Sequence, residues 1–165
     1  YTLKKLQVTY GNEVLPYLPD NTIEEVVSGK NENSSELEQR DISSSGTPSS
    51  STIRVRSKDF IEVKAGTTYT VSGIGAEIVI CEFQKNETYI GNLNAWHSLP
   101  FTFTTSSNCG KIKFLFGNGS AEITPSDIIN IQLEQGSTAT PYEPYITPIT
   151  SQPIIISIII FSKNF

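Results

Sequence analysis

One histidine and two cysteines, Cys81 and Cys109, are too few and too far apart for a zinc site, which needs closely spaced Cys and His ligands. No nucleophile elbow, phosphate-cradling glycine loop, HExxH pair or dinucleotide fingerprint occurs in the chain. Basic residues are outnumbered: 12 Lys and Arg against 17 Asp and Glu leave a net charge of −5, with a pI near 4.9. Without a basic stripe to release phosphate counterions, nucleic acid is not an expected partner. No apolar run approaches the ~20 residues that a membrane-spanning helix needs, and no basic start leads into an apolar centre as in a signal peptide. Methionine is absent and the first residue is Tyr1, which reads as a piece of a longer chain.

What is present points to strands. Ser, Thr, Gly and Asn are abundant, β-branched runs recur, and no helical periodicity is sustained, so the expectation is one all-β domain with long polar loops. Residues 53–56 alternate Ile and Val with Arg; 60–63 leads into the Lys64-Ala65-Gly66 turn; and 67–72 puts Tyr69 and Val71 on one face. The run AEIVICEF at 76–83 is nearly continuous apolar sequence, as in a central strand buried on both faces. Further strands are expected at 89–90, at 101–105 with Phe101 and Phe103 inward, and at 111–116 with Ile112, Phe114 and Phe116 together. Gly117-Asn118-Gly119 reads as a hairpin turn into a short strand at 121–124. Eight or nine short strands at this spacing suggest a sandwich or jelly roll, since a parallel α/β sheet needs a helix at each crossover.

The last strand is the clearest. In IQLEQGSTATPYEPY at 131–145 the alternation of Ile131 and Leu133 with Gln132 and Glu134 gives one buried and one wet face; Gly136 turns the chain, and Pro141 and Pro144 forbid further pairing. Residues 6–20 lie over this stretch without a gap, matching at Gln7, Gly11, Pro16, Tyr17 and Pro19, which suggests an internal repeat from a preceding module. Residues 22–28 fit a short helix within an N-terminal segment 1–35. The polar run from Lys30 to residue 51 is either a linker or a loosely paired first strand, with Leu37 and Ile42 as its apolar anchors.

The runs SDIINIQLEQGSTATPYEPY at 126–145 and IRVRSKDFIEVKAGTTYTVSG at 53–73 resemble the carbohydrate-binding-module-like jelly-roll domains of tail, neck and baseplate proteins in phages of Gram-positive bacteria. The resemblance covers 36–147 and is most specific in its LEQG…TPYEPY ending. It implies a jelly-roll β-sandwich of two antiparallel sheets after an N-terminal linker, in a virion adhesion device acting outside the host cell. It implies two partners, host cell-wall saccharide and other baseplate or tail proteins. Some similar modules hold a structural calcium ion, although no dense run of acidic ligands marks one here.

A glycosidase needs two carboxylates about 5 to 10 Å apart. Glu62, Glu77, Glu82, Glu87, Glu122 and Glu134 are spread over different strands in no recognised motif, so no catalysis is expected; Glu82 alone sits in an apolar run, its side chain directed opposite to that of Phe83. Sugar binding needs aromatic rings for stacking, ringed by amides, hydroxyls and carboxylates. Only 82–97 offers that mixture, and its candidates are Trp96, Tyr89, Glu82, Gln84, Asn92, Asn94 and His97, with Asn86 nearby. A lone Trp is equally suited to plug the sandwich edge, and His97 to bond within its loop. Cys81 reads as a buried small hydrophobe, and its pairing with Cys109 stays open. Tyr142 and Tyr145 are expected to pack the exit segment back on the module. The acceptor triplets at Asn33, Asn86 and Asn118 matter only in a eukaryotic secretory setting.

The tail PIIISIIIFSKNF at 153–165 is too short to span a bilayer of ~30 Å, and its uncharged β-branched part, 153–161, should be paired on this domain or against a second copy. The expectation is a non-catalytic saccharide-binding module gaining strength from multiple copies. The alternatives are a docking or decoration module without sugar binding, and an ancillary module of a secreted polysaccharide-degrading enzyme.

Overall fold

The computed structural model describes residues 9–10, 13–14, 30–93 and 95–147. Two short strands, β1 (Thr9–Tyr10) and β2 (Glu13–Val14), pair antiparallel with Thr9 opposite Val14. The remainder of the 6–20 repeat, the helix expected at 22–28, Asn94 and the tail from 148 lie outside the described residues.

The other described residues belong to one compact unit, Ser28–Thr147. Its strands in chain order are β3 (Leu37–Glu38), β4 (Asp41–Ile42), β5 (Pro48–Ser49), β6 (Arg54–Ser57), β7 (Ile61–Glu62), β8 (Thr68–Ile74), β9 (Glu77–Phe83), β10 (Tyr89–Asn92), β11 (Phe101–Thr104), β12 (Lys111–Gly117) and β13 (Ile129–Gln135). A six-stranded sheet runs β10-β9-β12-β6-β3, with β7 also pairing β12; a three-stranded sheet runs β11-β8-β13. All of these pairings are antiparallel. From β7 onward the chain passes repeatedly between the two sheets, as in a jelly roll. The protein is an all-β sandwich of two antiparallel sheets.

Strand alternation builds the core between them. Ile112, Phe114 and Phe116 of β12 point inward with Ile78 and Ile80 of β9 and Val55 of β6, meeting Tyr69 and Val71 of β8, Phe103 of β11, and Ile131 and Leu133 of β13. Each such burial contributes about 1.5–3 kcal/mol relative to exposure, which lets the sandwich stand without a covalent staple. Cys81 and Cys109 are both free: Cys81 belongs to the outer face of the larger sheet and Cys109 to the core, so the sheet itself separates them.

Three expectations change. Gln132 and Glu134 are buried, not wet, because the exit segment folds over them: Glu143 N–H donates to Gln132 Oε1 at 2.7 Å and Thr140 N–H to Glu134 Oε2 at 3.1 Å. These polar bonds hold the segment, while Tyr142 is 47% exposed, so its ring does not lie back on the module. Residues 121–124 form no strand; Ile123 N–H donates to Thr52 O, and a short 3-10 turn at Pro125–Asp127, capped by Thr124, carries the chain into β13. At the start of the unit, Asn31 bonds Ile131 O, Leu133 N–H and Glu143 O, and Glu32 N–H donates to Leu133 O at 2.7 Å, so the incoming and outgoing segments meet on β13.

Candidate functional site

The outer face of the larger sheet is unusually equipped for a surface that alternation would leave plainly polar. Residues that share it by register are Arg54 and Glu77 beside Gly117, Arg56 and Val79 beside Leu115, Lys113 beside Cys81, and Lys111 beside Phe83. Ile42, Val79, Cys81, Phe83 and Leu115 form a second, smaller apolar cluster here, with Phe60, Tyr89 and Trp96 packed on it. Ile42 brings the β4–β5 hairpin over this cluster. The hairpin tip needs glycine at Gly46, whose φ is +80° and where a Cβ would fall 2.5 Å from Tyr89 Cγ.

Trp96 sits at one end of the face. It is half-buried, and its six-membered ring lies over Gly117, where an added Cβ would be 2.9 Å from Cη2. The Arg54 guanidinium carbon is 4.7 Å from the indole centroid, a cation–π pair. Arg54 Nη1 donates to Ile53 O at 2.7 Å and Gly119 O at 2.9 Å, which fixes the guanidinium in place. At the other end Phe60 meets Phe83 edge-on at 4.9 Å, Tyr89 leans on Phe83 at 5.1 Å, and Lys113 Nζ lies 4.4 Å from the Phe60 centroid.

The candidates divide between the two faces. Tyr89 and Trp96 share the outer one, and Asn92, opposite Cys81 in register, lies exposed beside them. Glu82 is turned away. It pairs with core-facing Ile112, is 3% exposed, and its carboxylate accepts from Ser106 N–H at 2.8 Å and from the Ser106 hydroxyl, so it pins the 105–110 loop instead of facing a ligand. His97 also faces inward: it bridges Ile78 through paired backbone bonds and stacks on Phe101 at 3.8 Å. Gln84 belongs to the turn closed by its backbone bonds with Thr88 and Glu87, and Asn86 accepts from Thr88 N–H in the same turn. Asn94 lies outside the described residues. The residues missed at the sequence level are Arg54, Gly117, Arg56, Lys113 and Phe60. Alternation with Val55 marks the two arginines as one face, yet no sequence signal joins them to Trp96.

No match to the chain is found among protein-family models, curated proteins or solved structures. The functional reading therefore rests on the face itself. Among the described residues no group of three or more His, Cys, Asp or Glu side chains is placed to hold a metal ion, and no helix is long and apolar enough to cross a membrane.

The buried charges on this face give a pH signature. Burial, with the Arg56 charge beside it, lowers Lys113 from 10.5 to about 8. The unfolded chain keeps that proton up to the ordinary lysine range, so between these values the unfolded state binds more protons and stability rises with pH. Wild type should gain stability relative to Lys113→Met across that window in urea melts; a falling difference would contradict the buried position. Cys81 and Cys109 move the other way, pushed by burial up to about 12 and about 11. Both thiols should react with a disulfide reagent at neutral pH only as fast as the protein unfolds, and rapid labelling of either would contradict their burial.

Proposed function

We propose that the chain is a non-catalytic module of a phage tail or baseplate that binds host cell-surface saccharide through the outer face of its larger sheet. The observation that carries this reading is the half-buried indole of Trp96, held over Gly117 by the Arg54 guanidinium, on a face that also bears Tyr89 and the exposed amide of Asn92. A rigid aromatic ring beside fixed polar groups is what a sugar needs: the apolar face of a pyranose on the ring, hydroxyls on the amides and guanidinium. A single such site binds weakly, and repeated copies on a virion raise the effective affinity.

A fluorescent fusion on Gram-positive host cells tests this. Wild type should decorate the cells, and Trp96→Ala should weaken decoration roughly tenfold or more. Equal decoration by both would remove Trp96 as the site. A second reading, docking to another baseplate protein without sugar, is favoured by Tyr89, whose ring is covered by Gly46 and engaged with Phe83. Decoration by neither fusion would favour it.

A further inference from the structure

We infer that the surface at Trp96 selects an acidic saccharide, whose anionic group, a phosphodiester or a carboxylate, pairs with Arg54 while the sugar contacts the indole. This rests on the saccharide reading above and specifies its ligand class. Arg54 is held by Nη1 alone, leaving Nε and Nη2 without a partner among the described residues. It has no carboxylate within ion-pair distance among those residues, whereas Arg56 pairs with Glu38 and Lys111 with Glu87 and Glu62. A guanidinium fixed through one nitrogen, with the others free, is a preorganised fork for an oxyanion.

Two further cations lie behind it on the same face. Arg56, two residues along the same face, is 5% exposed, and its Nε is buried with no partner. Lys113, also 5% exposed, gives its ammonium to the backbone carbonyls of Ser57 and Lys58 and to no carboxylate. Arg56 pairs with Glu38, and Lys113 makes no ion pair of its own among the described residues, although Asp59, Glu38 and Glu87 are near enough to act on its charge. The opposing acid is Glu77, which flanks Gly117 on the side away from Arg54 and is exposed. Its repulsion steers an anion to the Arg54 side of the indole.

The test titrates the protein with a glucosylated glycerol-phosphate oligomer, tetragalacturonate and neutral maltotetraose. It follows the emission of Trp96, the only tryptophan in the chain, with calorimetry as a second readout. At least one acidic probe should bind about tenfold or more tighter than the neutral one, and added salt should weaken it. Binding of the phosphate probe alone would identify the phosphodiester; binding of both would identify charge as the shared determinant. Arg54→Gln should abolish the preference. Glu77→Gln, at an exposed position that leaves the fold intact, should strengthen acidic binding by roughly twofold to threefold. Equal binding of acidic and neutral probes, or a preference that survives Arg54→Gln, would overturn this inference and leave the saccharide reading standing. Binding of no probe, with undecorated cells, would overturn both.

Discussion

Gly117→Ala is expected to weaken saccharide binding about tenfold or more while lowering the unfolding free energy by about 1–2 kcal/mol, the cost of displacing the two bonds from Arg54 Nη1. The added Cβ would stand 2.9 Å from both Arg54 Nη1 and Trp96 Cη2, and 3.1 Å from Trp96 Cζ3. All three atoms are far ends of side chains, so the indole and guanidinium move and the strand stays. The methyl therefore dismantles the cation–π pair without opening a hole in the core. Because Trp96 is the sole tryptophan, its emission should shift to longer wavelength as the ring loses its seat. Unchanged emission together with unchanged binding would show that the ring does not need the space that glycine leaves.

Glu82→Ala should have the opposite profile, with a loss of about 2–4 kcal/mol of stability and no direct effect on the outer face. Its carboxylate is the acceptor for both the N–H and the hydroxyl of Ser106, and it is enclosed between β9 and the 105–110 loop. Truncation orphans the part-buried Ser106 N–H and leaves a cavity beside Ile112. Urea unfolding measures the loss, with Glu82→Gln falling between the two. Saccharide affinity per folded molecule should match wild type. Weakened binding at full stability would place Glu82 on the ligand side and undo the division of faces.

The core-facing pattern was legible because alternation is local: Ile112, Phe114 and Phe116, or Tyr69 and Val71, share a face by strand geometry alone. The same rule put Glu82 opposite Phe83, but parity does not say which side is inward, and the neighbouring apolar residues fill both. Gln132 and Glu134 read as wet because their cover comes from Thr140 and Glu143, after a turn that sequence places but does not aim. Likewise Leu37 and Ile42, expected anchors of a polar run, do anchor it, yet on opposite faces of the larger sheet. The meeting of Arg54, Gly117 and Trp96 depends on the register of β6 against β12 and on the path of the 93–100 loop, neither of which any local pattern encodes.

On the proposed reading, ligand meets the outer face of the larger sheet at its tryptophan end, and an amide chemical-shift map of the protein titrated with host cell-wall saccharide would show it residue by residue. The largest changes should cluster at Arg54, Trp96, Gly117 and Gly119. Changes confined to the smaller sheet, around Thr68, Thr102 and Thr104, or no changes at saturating saccharide, would contradict it.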